Sequence, residues 1–128
     1  MYDKELVLEV LSQIHTAAQR IARRFKNVTA AQDFISSEEG IDKLDGICMQ
    51  LIVIGESLKN LDRITNQALL VRYPQVDWKG TKGIRDVISH HYVDLDEQAV
   101  FDVCQKDLPV LIQTIEQIME EVQNGPSP

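Results

Sequence analysis

The chain has 128 residues, with 13 Lys and Arg against 20 Asp and Glu for a net charge of −7, and 44% of its residues are apolar. This is enough for one hydrophobic core and too little for a second catalytic domain, and the negative charge argues against broad, non-specific binding of nucleic acid through its phosphates. No run approaches the roughly 18 apolar residues of a membrane span, and Met1-Tyr2-Asp3-Lys4-Glu5 lacks the basic-then-apolar pattern of a signal peptide. A cytoplasmic protein without membrane contact is expected.

Val7, Val10, Leu11, Ile14, Ala17, Ala18, Ile21, Ala22 and Phe25 recur at intervals of three and four, the period of one helix face, and predict a long first helix. Asn27 and Val28 interrupt it, and Thr29 is placed to cap a short second helix to about Ile35, with Ser36-Ser37 as its exit. Leu44, Ile47, Cys48, Leu51, Ile54, Gly55, Leu58 and Leu61 trace another stripe, so a third helix should run from about Ile41 to Leu61. A brief helix from Thr65 to Arg72 should stop at Tyr73-Pro74, because proline disfavours helical geometry in the residue before it. Asp77 is a candidate N-cap for a helix starting at Trp78, where the indole reads as a core anchor rather than a base-stacking platform.

Asp94 or Asp96 should cap the last helical stretch, in which Val100, Val103, Cys104, Leu108, Leu111, Ile112, Ile115, Met119 and Val122 keep the period. Pro109 cannot donate a backbone hydrogen bond, which predicts a kink or restart near Asp107. Gly125-Pro126-Ser127-Pro128 reads as a flexible tail, leaving one domain over residues 1–124. No internal repeat and no strand-like alternation occur, so the expected fold class is all-α, a bundle of about four main helices plus short ones. Cys48 and Cys104 lie inside apolar helical patterns and read as buried thiols, with no disulfide framework and no metal site expected. His15, on the polar side of the first helix, reads as exposed.

The chemistry is concentrated between Gly83 and Tyr92, where Arg85, Asp86, His90, His91 and Tyr92 gather near one helix end. Arg72, Lys79, Lys82 and Arg85 against Asp77 and Asp86 give this neighbourhood +2 (4 − 2) and the rest of the chain −9 (−7 − 2). A polyanion should therefore meet the protein here. Imidazole suits proton transfer near neutral pH, and guanidinium grips phosphate oxygens with a planar fork of donors. These are the groups needed to cleave RNA without a metal.

Asp86 and His90, four apart, share a helix face, so the carboxylate is placed to orient the imidazole or to form a simple surface contact with it. Arg85 and His90, five apart, point about 140° away from each other at roughly 100° per residue. Fraying at His90 would correct the angle, as would a two-fold dimer bringing this segment from both chains to one cleft, and the dimer is the favoured reading. Tyr92 would lie beside His90 if the chain is extended there. Gly55 and Glu56 are expected to serve packing near the dimer interface, since a lone carboxylate on an apolar stripe needs a partner.

Arg85, four intervening residues, His90, one more residue and Tyr92 reproduce the R-x4-H-x-Y signature of the HepT-like group within the HEPN superfamily. Trp78 precedes the signature at the expected distance, Ile54-Gly55-Glu56 resembles the group's isoleucine-glycine-glutamate element, and Asp107-Leu108-Pro109 resembles its final-helix motif. The resemblance covers nearly the whole chain. It implies a HEPN-like helical homodimer acting as the toxin of a type VII toxin-antitoxin system, paired with an MNT-type nucleotidyltransferase antitoxin. It also implies a metal-independent endoribonuclease without cofactor, directed at transfer RNA or messenger RNA. Arg85 and His90 would then be catalytic and Asp86 supporting, at a position often asparagine in relatives. Tyr92 would be the tyrosine to which the antitoxin attaches adenylate. Arg72, Lys79 and Lys82 would guide the RNA. A different class of function remains alongside, a non-catalytic helical dimer that binds a nucleotide or a nucleotidyltransferase partner.

Overall fold

The computed structural model describes residues 2–125, and every regular element among them is helical. Helix α1 spans Lys4–Phe25, α2 Glu38–Ile64, α3 Trp78–His91, α4 Glu97–Asp102 and α5 Leu108–Asn124. Helices α1, α2 and α5 pack around one core, in which Val7, Leu11, Ile14, Ile21, Ile47, Ile54, Leu58, Leu61, Ile115 and Ile118 are almost wholly removed from solvent. The all-α bundle expected from the apolar periodicity is the one observed. No helix among the described residues is long and apolar enough to cross a membrane.

The start of α1 is fixed by Asp3, whose side chain accepts the Leu6 N–H. The segment expected to be a short helix capped by Thr29 is a single 3-10 turn, Ala31–Phe34. Its organiser is Asp33, not Thr29: one carboxylate oxygen accepts from the backbone N–H of Thr29 and of Ala30 and from the Thr29 hydroxyl, at 2.8, 3.2 and 3.1 Å. These hydrogen bonds hold the Asp33 carboxyl below the usual carboxylate range, the Thr29 N–H contributing most. Ser37 is no exit but the N-cap of α2, accepting the Gly40 N–H at 3.0 Å, so α2 begins before Ile41 and runs past Leu61. The chain then turns through Asn66 and Gln67, both at positive φ, and Leu70–Arg72 forms a 3-10 turn rather than a full helix.

Near Pro109 the last helical stretch changes form. Asp96 caps α4, Val103–Asp107 widens into a π-helical turn, and α5 resumes at Leu108. Pro109 supplies no N–H and its ring crowds the carbonyl four residues earlier, so the wider turn passes the obstruction without ending the helix. Cys48 and Cys104 are buried as free thiols, and desolvation pushes them up to about 11 and about 12. His15 is only partly exposed and ties α1 to α5 through its Nε2, 2.8 Å from Glu116. Gly125 closes α5, donating its N–H to the Glu121 carbonyl. The rest of the expected tail, residues 126–128, lies outside the described residues.

Helix α3 is attached differently from the others. Ile88 is its one buried residue among those described, and α2 is its main support. Asp77 caps α3 by accepting the Gly80 N–H at 3.0 Å, and the Trp78 indole N–H donates to the Tyr73 carbonyl at 2.8 Å, anchoring the helix start against the core. Gly55 of α2 allows the crossing: a Cβ there would stand 2.8 Å from the Arg85 Cβ and 3.3 Å from the Lys82 carbonyl oxygen. The glycine thus serves the close packing expected of it, at the intrachain α2–α3 crossing.

Candidate active site

The crossing at Gly55 lays one face of α3 along α2, and three oppositely charged pairs join the two helices: Lys82 with Asp62, Arg85 with Glu56, and Lys59 with Asp86. Arg85 is held from two sides. Its Nε faces a Glu56 carboxylate oxygen, and its Nη1 donates to Asp86 at 2.9 Å. The Asp86 hydrogen bond and the Glu56 charge both raise the guanidinium's pKa, and Asp86 is held below the usual carboxylate range by Arg85 first and Lys59 second. Glu56 therefore has its partner within the same chain.

His90 is exposed, and its Nδ1 lies 2.9 Å from the backbone carbonyl oxygen of Asp86. A carbonyl can only accept, so Nδ1 carries the hydrogen; in the neutral ring Nε2 is then left with its lone pair free. The expectation that the Asp86 carboxylate would orient His90 is corrected here. The residue does orient the imidazole, but through its main chain, because its carboxylate is drawn aside to Arg85 and Lys59.

Helix α3 stays regular through His90, so fraying does not reconcile the directions of Arg85 and His90. Within one chain the two remain about 140° apart around the helix axis. At His91 the backbone leaves helical geometry, with φ −132° and ψ 26°, and at Tyr92 it returns to it, with φ −56° and ψ −40°. Tyr92 is thus not extended, as placing it beside His90 required. Its ring lines a shallow groove against α2 with Met49, Ile52, Ile88 and Ser89, and the residue is 43% exposed.

The three cations expected to guide RNA are placed unequally. Lys82 is tied to Asp62, Arg72 lies with its guanidinium carbon 6.0 Å from the Tyr73 ring centre, and Lys79 is exposed on the first turn of α3. Lys59 was not singled out from the sequence, yet it reaches the site. The legible signal was Glu56, Lys59 and Asp62 at three-residue spacing on one helix, opposite in sign to Arg85, Asp86 and Lys82 on the next. Among the described residues no three or more His, Cys, Asp or Glu gather as a metal site would need.

The bundle, with Arg85 midway along α3 and an exposed His90 near its end, is consistent with an all-α HEPN-like fold. The family profile described as Ribonuclease HepT-like matches residues 14–118, and the chain belongs to that family. A "Putative RNase" of Methanocaldococcus jannaschii is 34% identical over 77 residues, covering 60% of this chain and 60% of that protein. A second protein of that organism, named as a gamma-glutamylcyclotransferase and "putative RNase", is 31% identical over 61% of this chain and 33% of its own length. A "Putative RNase" of Caldanaerobacter subterraneus is 27% identical over 56% of this chain and 60% of that protein. The chain therefore matches less than two thirds of the length of each. No solved structure matches the chain significantly.

Proposed function

We propose that this protein is a metal-independent endoribonuclease, the toxin of a type VII toxin-antitoxin system, acting as a homodimer in the cytoplasm on transfer RNA or messenger RNA. The observation that carries the reading is the exposed His90 imidazole with its Nε2 free, five residues from a guanidinium pinned by two carboxylates. The free Nε2 takes the proton of a ribose 2′-hydroxyl as that oxygen attacks the adjacent phosphorus. Arg85 stabilises charge growing on the non-bridging oxygens, and an imidazolium returns a proton to the departing 5′-oxygen. The products are a 2′,3′-cyclic phosphate and a 5′-hydroxyl, so no water and no redox partner are consumed.

A homodimer answers the angular mismatch, since a two-fold axis near α3 brings Arg85 of one chain toward His90 of the other. The exposed apolar residues beside the site, Met49 at 58% and Val53 at 36% on α2 with Tyr92 and Val93 after α3, suit a second copy of this chain. Regulation follows from the half-exposed Tyr92. An MNT-type nucleotidyltransferase transfers AMP from ATP to its phenolic oxygen with release of pyrophosphate, and the added phosphate and bulk block the cleft. A second reading has its own support: Arg85 is already engaged by Glu56 and Asp86, as in a non-catalytic dimer that binds a nucleotide or a nucleotidyltransferase. Incubating the protein with total RNA and a chelator separates the two. Cleavage should persist in chelator and fall at least about a hundredfold in Arg85→Ala and in His90→Ala at unchanged helix content; no cleavage by the unaltered chain leaves the binding module.

A further inference from the structure

Two cations from different helices flank one carboxylate. Asp86 stands between Nη1 of Arg85, at 2.9 Å, and Nζ of Lys59, at 3.6 Å. The arrangement is open to solvent, the side chains of Lys59 and Asp86 being 42% and 52% exposed, so Asp86 can swing aside without disturbing the core. The Nε edge of Arg85 is unavailable to any ligand, since that atom is buried against Glu56. The fork of Arg85 therefore faces outward where Asp86 now lies. The carboxylate gives one oxygen to the guanidinium and the other to the ammonium, as the two non-bridging oxygens of a phosphate diester would with the same two groups.

We infer that Lys59 and Arg85 form a two-cation pair that grips a phosphate of single-stranded RNA, and that Asp86 is its resting occupant, displaced when the phosphate enters. This rests on the RNA-cleaving reading and adds to it a residue of α2. Glu56 stays in place during the exchange and keeps the guanidinium aimed. Exposed ion pairs of this kind contribute little, so a phosphate oxygen aligned by the rest of the RNA displaces the carboxylate. The exchange also lifts a charge constraint: Arg85 and Lys59 are balanced by Glu56 and Asp86 at rest, and moving Asp86 aside leaves a net positive pocket.

The test measures binding of a labelled oligouridylate by His90→Ala protein, which spares the probe from cleavage, over a series of salt concentrations. Adding Lys59→Ala should weaken binding about tenfold at low salt and reduce the slope of log K against log salt by about 0.7, the share of one phosphate on a single strand. Lys59→Arg should keep both. Asp86→Asn should tighten binding more than Asp42→Asn, which removes the same charge from an exposed position roughly 25 Å away along α2. The inference is overturned if Lys59→Ala changes neither affinity nor slope, if Asp86→Asn gains no more than Asp42→Asn, or if the parent binds no oligouridylate at low salt. Cleavage is read separately on chains with His90 intact. Lys59-dependent binding without cleavage would sink the ribonuclease reading and leave the phosphate pair standing.

Discussion

Asp33, Asp86 and Glu121 each hold a proton less tightly than an ordinary carboxyl, and each does so because donors converge on it: the Thr29 N–H for Asp33, Arg85 for Asp86, and Gln117 ahead of Tyr73 for Glu121. A depressed folded-state pKa adds stability that is present above the unfolded value of roughly 4 and is lost as pH falls through the lower folded value. The Asp86–Arg85 contact therefore persists through neutral and mildly acid conditions, and a change in cleavage between about pH 5 and 8 has its origin in another group. Asp33→Asn should melt lower than the parent at neutral pH and show a smaller drop in melting temperature between about pH 5 and 3. An unchanged acid slope would mean that Asp33 does not organise the turn after α1. At Tyr92 the test of the proposed modification is Tyr92→Phe, which keeps the ring in its groove and removes the oxygen that would accept AMP. The variant should fold and cleave, yet resist silencing by the nucleotidyltransferase with ATP; silencing equal to that of the parent moves the modification elsewhere.

Between the elements, the decisive feature is the crossing of α2 and α3 at Gly55. Alanine in place of a mid-helix glycine gains up to about 1 kcal/mol in helix propensity, while overpacking costs about 1–3 kcal/mol. The atom it would strike is the Arg85 Cβ, fixed to the α3 backbone, so a side-chain swing cannot relieve the contact. Gly55→Ala should therefore lower stability by about 1–2 kcal/mol in denaturant titration and reduce cleavage more than it reduces helix content, because α3 and its arginine shift together. Gain of stability with full cleavage would show that the crossing is looser than its 2.8 Å geometry. The sequence made α1, the body of α2 and the Asp77 cap legible because apolar period and cap chemistry are local signals. It hid the start of α2, where Glu38 and Glu39 add nothing to the stripe, and the π-helical turn at Val103–Asp107, which replaces a simple kink. Ile64, three residues past Leu61 and packed on the core, was a legible extension of the stripe beyond the expected end. The candidate site could be read only where it is contiguous, from Arg85 to Tyr92. Glu56 and Lys59 were not tied to Arg85 and Asp86 beforehand, since their pairing depends on how α2 and α3 align.

For the whole molecule, a bundle with one core presents α3 on its flank, where two copies can meet around Arg85 and His90. One regular helix does not aim both side chains at a single phosphate, so cleavage through Arg85 and His90 together would need a site shared between chains. Mixing Arg85→Ala chains with His90→Ala chains tests this requirement most directly. Each variant alone lacks one group in every site, whereas a mixed dimer retains one complete pair, the Arg85 of one chain with the His90 of the other. On random assortment about half of the dimers are mixed and each holds one of two sites, so the mixture should recover about a quarter of the parent rate of RNA cleavage while each variant alone stays inactive. A mixture as inactive as its components, from chains that fold and exchange partners, would contradict the shared site.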